Sequence, residues 1–90
     1  MTFEELHVNQ FVQIFNESAP LIGSFEGCNG VNLMVDSGNK QVYFTLSEWQ
    51  SESHLNFYRS SELFKLTWAK VKPLFAAKAE AWSLIEPNSL

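Results

Sequence analysis

A small α+β domain built on an antiparallel sheet is the fold that this sequence predicts. Apolar residues recur at helical spacing up to Pro20, the period switches to two between Val31 and Ser47, and helical spacing returns from Ser51 to Phe75. Ninety residues without a repeat, a low-complexity tract or a linker make a single domain over 1–90. A chain of this length buries only ~60–65% of the surface its unfolded form exposes. Hydrophobic residues make up 46% of it and aromatics 14%, including eight Phe, so a pocket or a subunit interface is expected to take the surplus.

The elements follow in order. Met1–Glu4 reads as a short first strand, apparently truncated. Val8, Phe11, Val12 and Phe15 fall at i, i+3, i+4 and i+7, which predicts an amphipathic helix over roughly 5–18. Pro20 is expected to interrupt it, with one further helical turn at Leu21, Ile22 and Phe25. Gly27 and Gly30 around Cys28 and Asn29 suggest a turn or a bulged strand start.

Val31, Leu33 and Val35 alternate with Asn32, Met34 and Asp36. After the turn residues Ser37, Gly38 and Asn39, Val42, Phe44 and Leu46 alternate with Tyr43, Thr45 and Ser47. This is a β-hairpin. Its aliphatic residues are expected to share one helix-packing face, leaving Asn32, Met34, Tyr43, Thr45, Ser47 and Trp49 on the other.

Ser51 is suited to cap a helix running to about Tyr58, with Glu52 in its first turn. Ser60 or Ser61 caps the next, whose buried stripe is Phe64, Trp68, Val71 and Phe75. Pro73 ends or kinks it. Ala81–Ile85 is apolar enough for a closing strand, and Pro87, Asn88 and Ser89 release the chain. With the initial strand, the order is a ferredoxin-like βαββαβ unit.

Charge and cysteine content exclude several classes. A net charge of −4 and a pI near 5.0 argue against nucleic acid. The basic run from Lys65 to Lys78 is interleaved with Leu66, Trp68, Val71 and Phe75, the pattern of a solvated helix side. One cysteine, Cys28, permits neither an intrachain disulfide nor a cysteine metal cage. No signal-peptide pattern and no long apolar run appear, so a soluble, cytoplasmic protein without a membrane partner is expected.

Several segments together resemble the antibiotic biosynthesis monooxygenase family. They are Met1-Thr2-Phe3, Phe11 to Phe15-Asn16, Phe25-Glu26-Gly27-Cys28, Trp49-x-Ser51-Glu52, Tyr58-Arg59-x-Ser61-Glu62-Leu63-Phe64, Trp68 and Ala81-Trp82-Ser83. The resemblance implies a homodimer forming an α+β barrel, with C-terminal strands reaching the partner and Met34, Tyr43, Trp82, Leu84 and Ile85 in the interface. It also implies oxygenation of a small aromatic or quinol-like substrate with no cofactor and no metal. The alternatives are a non-catalytic ligand-binding barrel, or a structural dimer whose aromatics fill the barrel. The haem-degrading branch is set aside: where its helix carries a Trp and, ten residues on, a His, this chain has Tyr58 and Trp68.

Such an oxygenase needs a dry pocket, a group that orients or deprotonates a phenol, and donors for the resulting oxyanion. The resemblance places Trp49 and Tyr58 as pocket aromatics, the indole N–H donating to a substrate oxygen and the phenol donating or relaying a proton. Packing in the core or at the dimer contact is the competing account of both. His54 is the one histidine near this region and the candidate base, against a plain surface role. Asn32, Tyr43, Thr45 and Trp68 are the candidate substrate contacts, with Asn56 also nearby. Arg59 could meet an anionic substrate or form a surface ion pair with Glu62 or Glu52. An enzyme predicts a closed cavity of roughly 300 Å³ or more.

Overall fold

The computed structural model describes residues 1–87. A 3-10 turn, Glu5–His7, leads into helix α1, Val8–Gly23. Strands β1, Cys28–Val35, and β2, Tyr43–Trp49, follow, then helices α2, Glu52–Arg59, and α3, Glu62–Val71. A 3-10 turn, Lys72–Leu74, comes after α3.

The hairpin is antiparallel, with Val35 opposite Tyr43 and Asn32 opposite Leu46. Its turn is built from short side-chain bonds. Gly38 N–H donates to Asp36 Oδ2 at 3.0 Å, and Gln41 N–H donates to Asn39 Oδ1 at 3.0 Å. The register shifts between Cys28 and Gly30, so the bulged strand start is present.

The N-terminal residues lie beside β2. Thr2 bridges to Val42, and Phe3 bridges on its other side to Phe75. Tyr43 N–H donates to the Met1 carbonyl at 2.8 Å, and Ala76 N–H to the Thr2 carbonyl at 2.8 Å. The hydrogen-bonded order is therefore β1, β2, the first residues, then the segment at Phe75. That is the strand order of a βαββαβ sheet, its two later members reduced to single bridges.

Helices α1 and α3 cover one side of this sheet. The core between them is Phe3, Phe11, Val71 and Leu74, with Phe3 fully buried and Phe11 2% exposed. Phe3 stacks on Phe11 at 4.0 Å between ring centres and touches Phe75 at 5.1 Å. Each such buried ring contributes roughly 1.5–3 kcal/mol from area alone.

Four expectations are corrected. First, α1 does not break at Pro20 but continues to Gly23. The proline lacks only the bond to the Asn16 carbonyl, and both residues are exposed, so water can replace it. Second, the apolar residues of the two strands do not share a face. The register sets Leu33 opposite Thr45 and Met34 opposite Phe44, so Tyr43, Thr45 and Ser47 face the helices with Val31 and Leu33. Third, Tyr43 is consequently packed against Phe3 and Phe11 rather than placed in an outward interface. Fourth, Ala81–Ile85 forms no strand, and Trp82, Leu84 and Ile85 are 64, 80 and 65% exposed. Beyond Pro87, the expected release at Asn88 and Ser89 lies outside the described residues.

Candidate active site

A cavity of about 720 Å³ lies between the helix-facing side of the sheet and all three helices. Its lining repeats at helical spacing. Phe11, Ile14, Phe15, Ser18 and Ile22 come from α1, Leu55, Tyr58 and Arg59 from α2, and Phe64, Thr67, Trp68 and Val71 from α3. Val31, Tyr43, Thr45 and Ser47 form the sheet floor, and Ala79 to Trp82 with Leu84 form one rim.

The cavity is partly open rather than closed, and the sheet explains why. Tyr43 exchanges both backbone bonds with Met1. Alternate residues of β2, Thr45 and Ser47, therefore turn their backbone groups to the same edge, where no further strand is paired among the described residues. Phe44 and Leu46, whose side chains lie on the opposite face, also line the cavity. The space thus runs out past the strand edge.

Tyr58 lines the cavity from α2. Its ring stacks on Trp49 at 5.1 Å and meets Phe25 and Phe64 edge-on at 5.2 and 5.3 Å. Its carbonyl accepts from Ser61 Oγ at 2.6 Å and from Ser61 N–H at 2.9 Å. The Ser61 hydroxyl in turn caps α3 by accepting from Phe64 N–H at 3.2 Å. Ring and backbone are both held. Burial pushes the Tyr58 phenol above its ordinary value of 10.0, and the neighbouring Cys28 thiol adds to the shift. With its proton held in this way, the phenol is protonated at neutral pH and available as a hydrogen-bond donor.

The remaining expected site residues divide. Tyr43, Thr45 and Trp68 line the cavity with Tyr58. Trp49 does not; its indole N–H donates to Ser47 Oγ at 2.9 Å, and its ring supports Tyr58 from behind. His54 is turned away as well. Its Nδ1 lies 2.6 Å from Ser51 Oγ at the start of α2, and its ring covers Gly27. Gly27 has φ +82°, and a Cβ there would collide with that ring. Asn32 is exposed on the outer face and takes no part in the cavity.

Phe15, Ser47, Leu55, Phe64 and Thr67 join the lining without having been singled out for it, and Arg59, weighed as an anion contact or a surface ion pair, lines it too. Helical spacing carried the signal: Leu55 and Arg59 flank Tyr58 on its own face of α2, and Thr67 lies one turn beyond Phe64. No cluster of His, Cys, Asp and Glu suited to a metal occurs among the described residues, and no helix there is long and apolar enough to cross a membrane.

Comparison with known proteins agrees with this architecture. The family model of the antibiotic biosynthesis monooxygenases matches residues 1–70. A conserved protein from Methanosarcina mazei Go1 superposes with a TM-score of 0.84 at 19% identity, over 88% of this chain and 78% of that one. A candidate antibiotic biosynthesis monooxygenase from Nitrosomonas europaea gives 0.77 at 9% identity, over 86% and 74%. Another from Deinococcus radiodurans gives 0.72 at 15% identity, over 94% and 92%. No curated protein matches the sequence significantly.

Proposed function

The chain belongs to the antibiotic biosynthesis monooxygenase family, and from that premise we propose that its cavity binds a small aromatic or quinol-like molecule and oxygenates it without a bound cofactor. The observation that carries this reading is the Tyr58 phenol lining a cavity whose walls are mostly aromatic and aliphatic, with burial holding its proton. Oxygenation of an electron-rich ring takes its electrons from the substrate itself: the ring is oxidised, one oxygen atom enters the product and the other leaves as water. The protein's part is to exclude bulk water and to stabilise the substrate's oxyanion as charge develops. Tyr58 supplies that donor, while Phe11, Phe15, Phe64 and Trp68 hold the ring.

Oxygen uptake tests the assignment. The purified protein, stripped of flavin and metal, is presented with a panel of quinols and dihydroxyanthrones. Uptake above autoxidation is expected, and Tyr58→Phe is expected to slow it at least tenfold, the scale on which one oxyanion donor acts. Trp49→Phe should cost less, because Trp49 acts on the site through Tyr58. Equal turnover in Tyr58→Phe and the parent protein would remove Tyr58 from the mechanism.

One observation favours a second reading, a binding module without turnover. With His54 turned to Ser51, the only carboxylate lining the cavity among the described residues is Glu80, near the Met1 ammonium. Ligand binding seen by tryptophan fluorescence, with no oxygen uptake, would select that reading.

Members of the family are small dimeric ligand-binding proteins, and the outer face of the hairpin is the surface suited to a second copy. Met34, Phe44 and Leu46 there are 53, 40 and 46% exposed and adjacent across the two strands.

A further inference from the structure

Resting on the cavity reading above, we propose that Arg59 makes this site selective for aromatic ligands that carry a carboxylate over their neutral counterparts. Arg59 lies in the last turn of α2, one residue beyond Tyr58. Six side chains of this protein are cationic, and of these only Arg59 lines the large cavity. Glu52 and Glu62 were the carboxylates placed by sequence to neutralise it. Neither does so: among the described residues, no carboxylate lies within 4.0 Å of its guanidinium. Glu80, the one carboxylate lining the cavity among the described residues, makes no ion pair with Arg59 and acts weakly on the Met1 ammonium.

Arg59 is solvent-exposed where it lines the cavity, and with no carboxylate of the described residues on its guanidinium it is free to meet one brought by a ligand. Its planar donors accept a carboxylate in two-point fashion while the aromatic body enters among Phe15, Phe64 and Trp68. The rest of the molecule strengthens the inference. With a net charge of −4, the long-range field repels anions, so recognition of one must come from a local cation. The cavity also offers Tyr58 as a donor and no histidine among its lining residues. A ligand already ionised at neutral pH is the kind such a site can hold and activate, since it asks for no proton acceptor.

The test uses binding, so it does not depend on turnover. 1-Hydroxy-2-naphthoic acid and its methyl ester are titrated against the protein, followed by tryptophan fluorescence at low and at 0.5 M salt, about. The acid is expected to bind about tenfold more tightly than the ester, with the preference reduced by salt. In Arg59→Gln the ester should bind as before while the acid loses its advantage, and Arg59→Lys should recover part of it. Equal binding of acid and ester to the parent protein, or a preference surviving Arg59→Gln, overturns the assignment of Arg59 and leaves the aromatic cavity standing. Failure of both ligands to bind overturns the cavity reading and this inference with it.

Discussion

The two faces of the β1–β2 hairpin carry aromatic and aliphatic side chains alike, yet they meet opposite fates. On the helix-facing side, Leu33 and Tyr43 are covered by the cluster of Phe3, Phe11, Val71 and Leu74. On the other, Met34, Phe44 and Leu46 stand in solvent. A solvated face of an antiparallel sheet ordinarily reads as polar. An apolar row on both faces therefore separates two roles: one face closes the fold and frames the cavity, while the other is the face we propose for a second copy.

The largest effect is expected where the inner face meets the helices. Phe11 stacks on Phe3, touches Tyr43 edge-on at 5.5 Å and also lines the cavity. Phe11→Ala should destabilise the protein by about 3–5 kcal/mol, as for other buried Phe truncations, which can abolish folding in a domain this small. Chemical denaturation measures it. A loss below about 1 kcal/mol would show that the core lies elsewhere.

The outer face should answer differently. Phe44→Asp sets a charge into the exposed row opposite Met34. We expect the monomer fold to survive, with circular dichroism little changed, and the dimer to dissociate in sedimentation velocity. A parent protein that runs as a monomer at tens of micromolar, about, would remove the second-copy role. So would a Phe44→Asp dimer of unchanged affinity.

This contrast also marks how far the sequence could be read. The hairpin, the bulge near Cys28, the Ser51 and Ser61 caps and the stop at Pro73 each depend on chemistry within a few residues, and all are present. Which face of β1 joins which face of β2 depends instead on the pairing that the turn imposes. A slip of one residue inverts it, and period-two alternation within each strand carries no information on the choice. The site divides in the same way. Tyr58, Tyr43, Thr45 and Trp68 were legible as cavity residues. His54 was not legible as a partner of Ser51 and a cover for Gly27, because that role depends on the chain's left-handed turn at Gly27. Ala81–Ile85 has strand composition but no paired edge in a single copy, and composition alone does not supply one.

The smallest effect probes how dry the inner side is without deleting any packing. The folded protein holds the Tyr58 proton above the ordinary value of 10.0, mainly through burial and secondly through Cys28. The unfolded chain releases that proton first. Stability from this source is therefore complete below the unfolded value and falls as pH rises through it toward the higher folded value. Thermal midpoints should decline more steeply above pH 10 in the parent protein than in Tyr58→Phe, which has no proton to lose there. Below pH 9, about, the difference between the two should not change with pH. Parallel curves through the alkaline range would mean that water reaches the Tyr58 hydroxyl freely. The inner face would then be no drier at that point than the outer one.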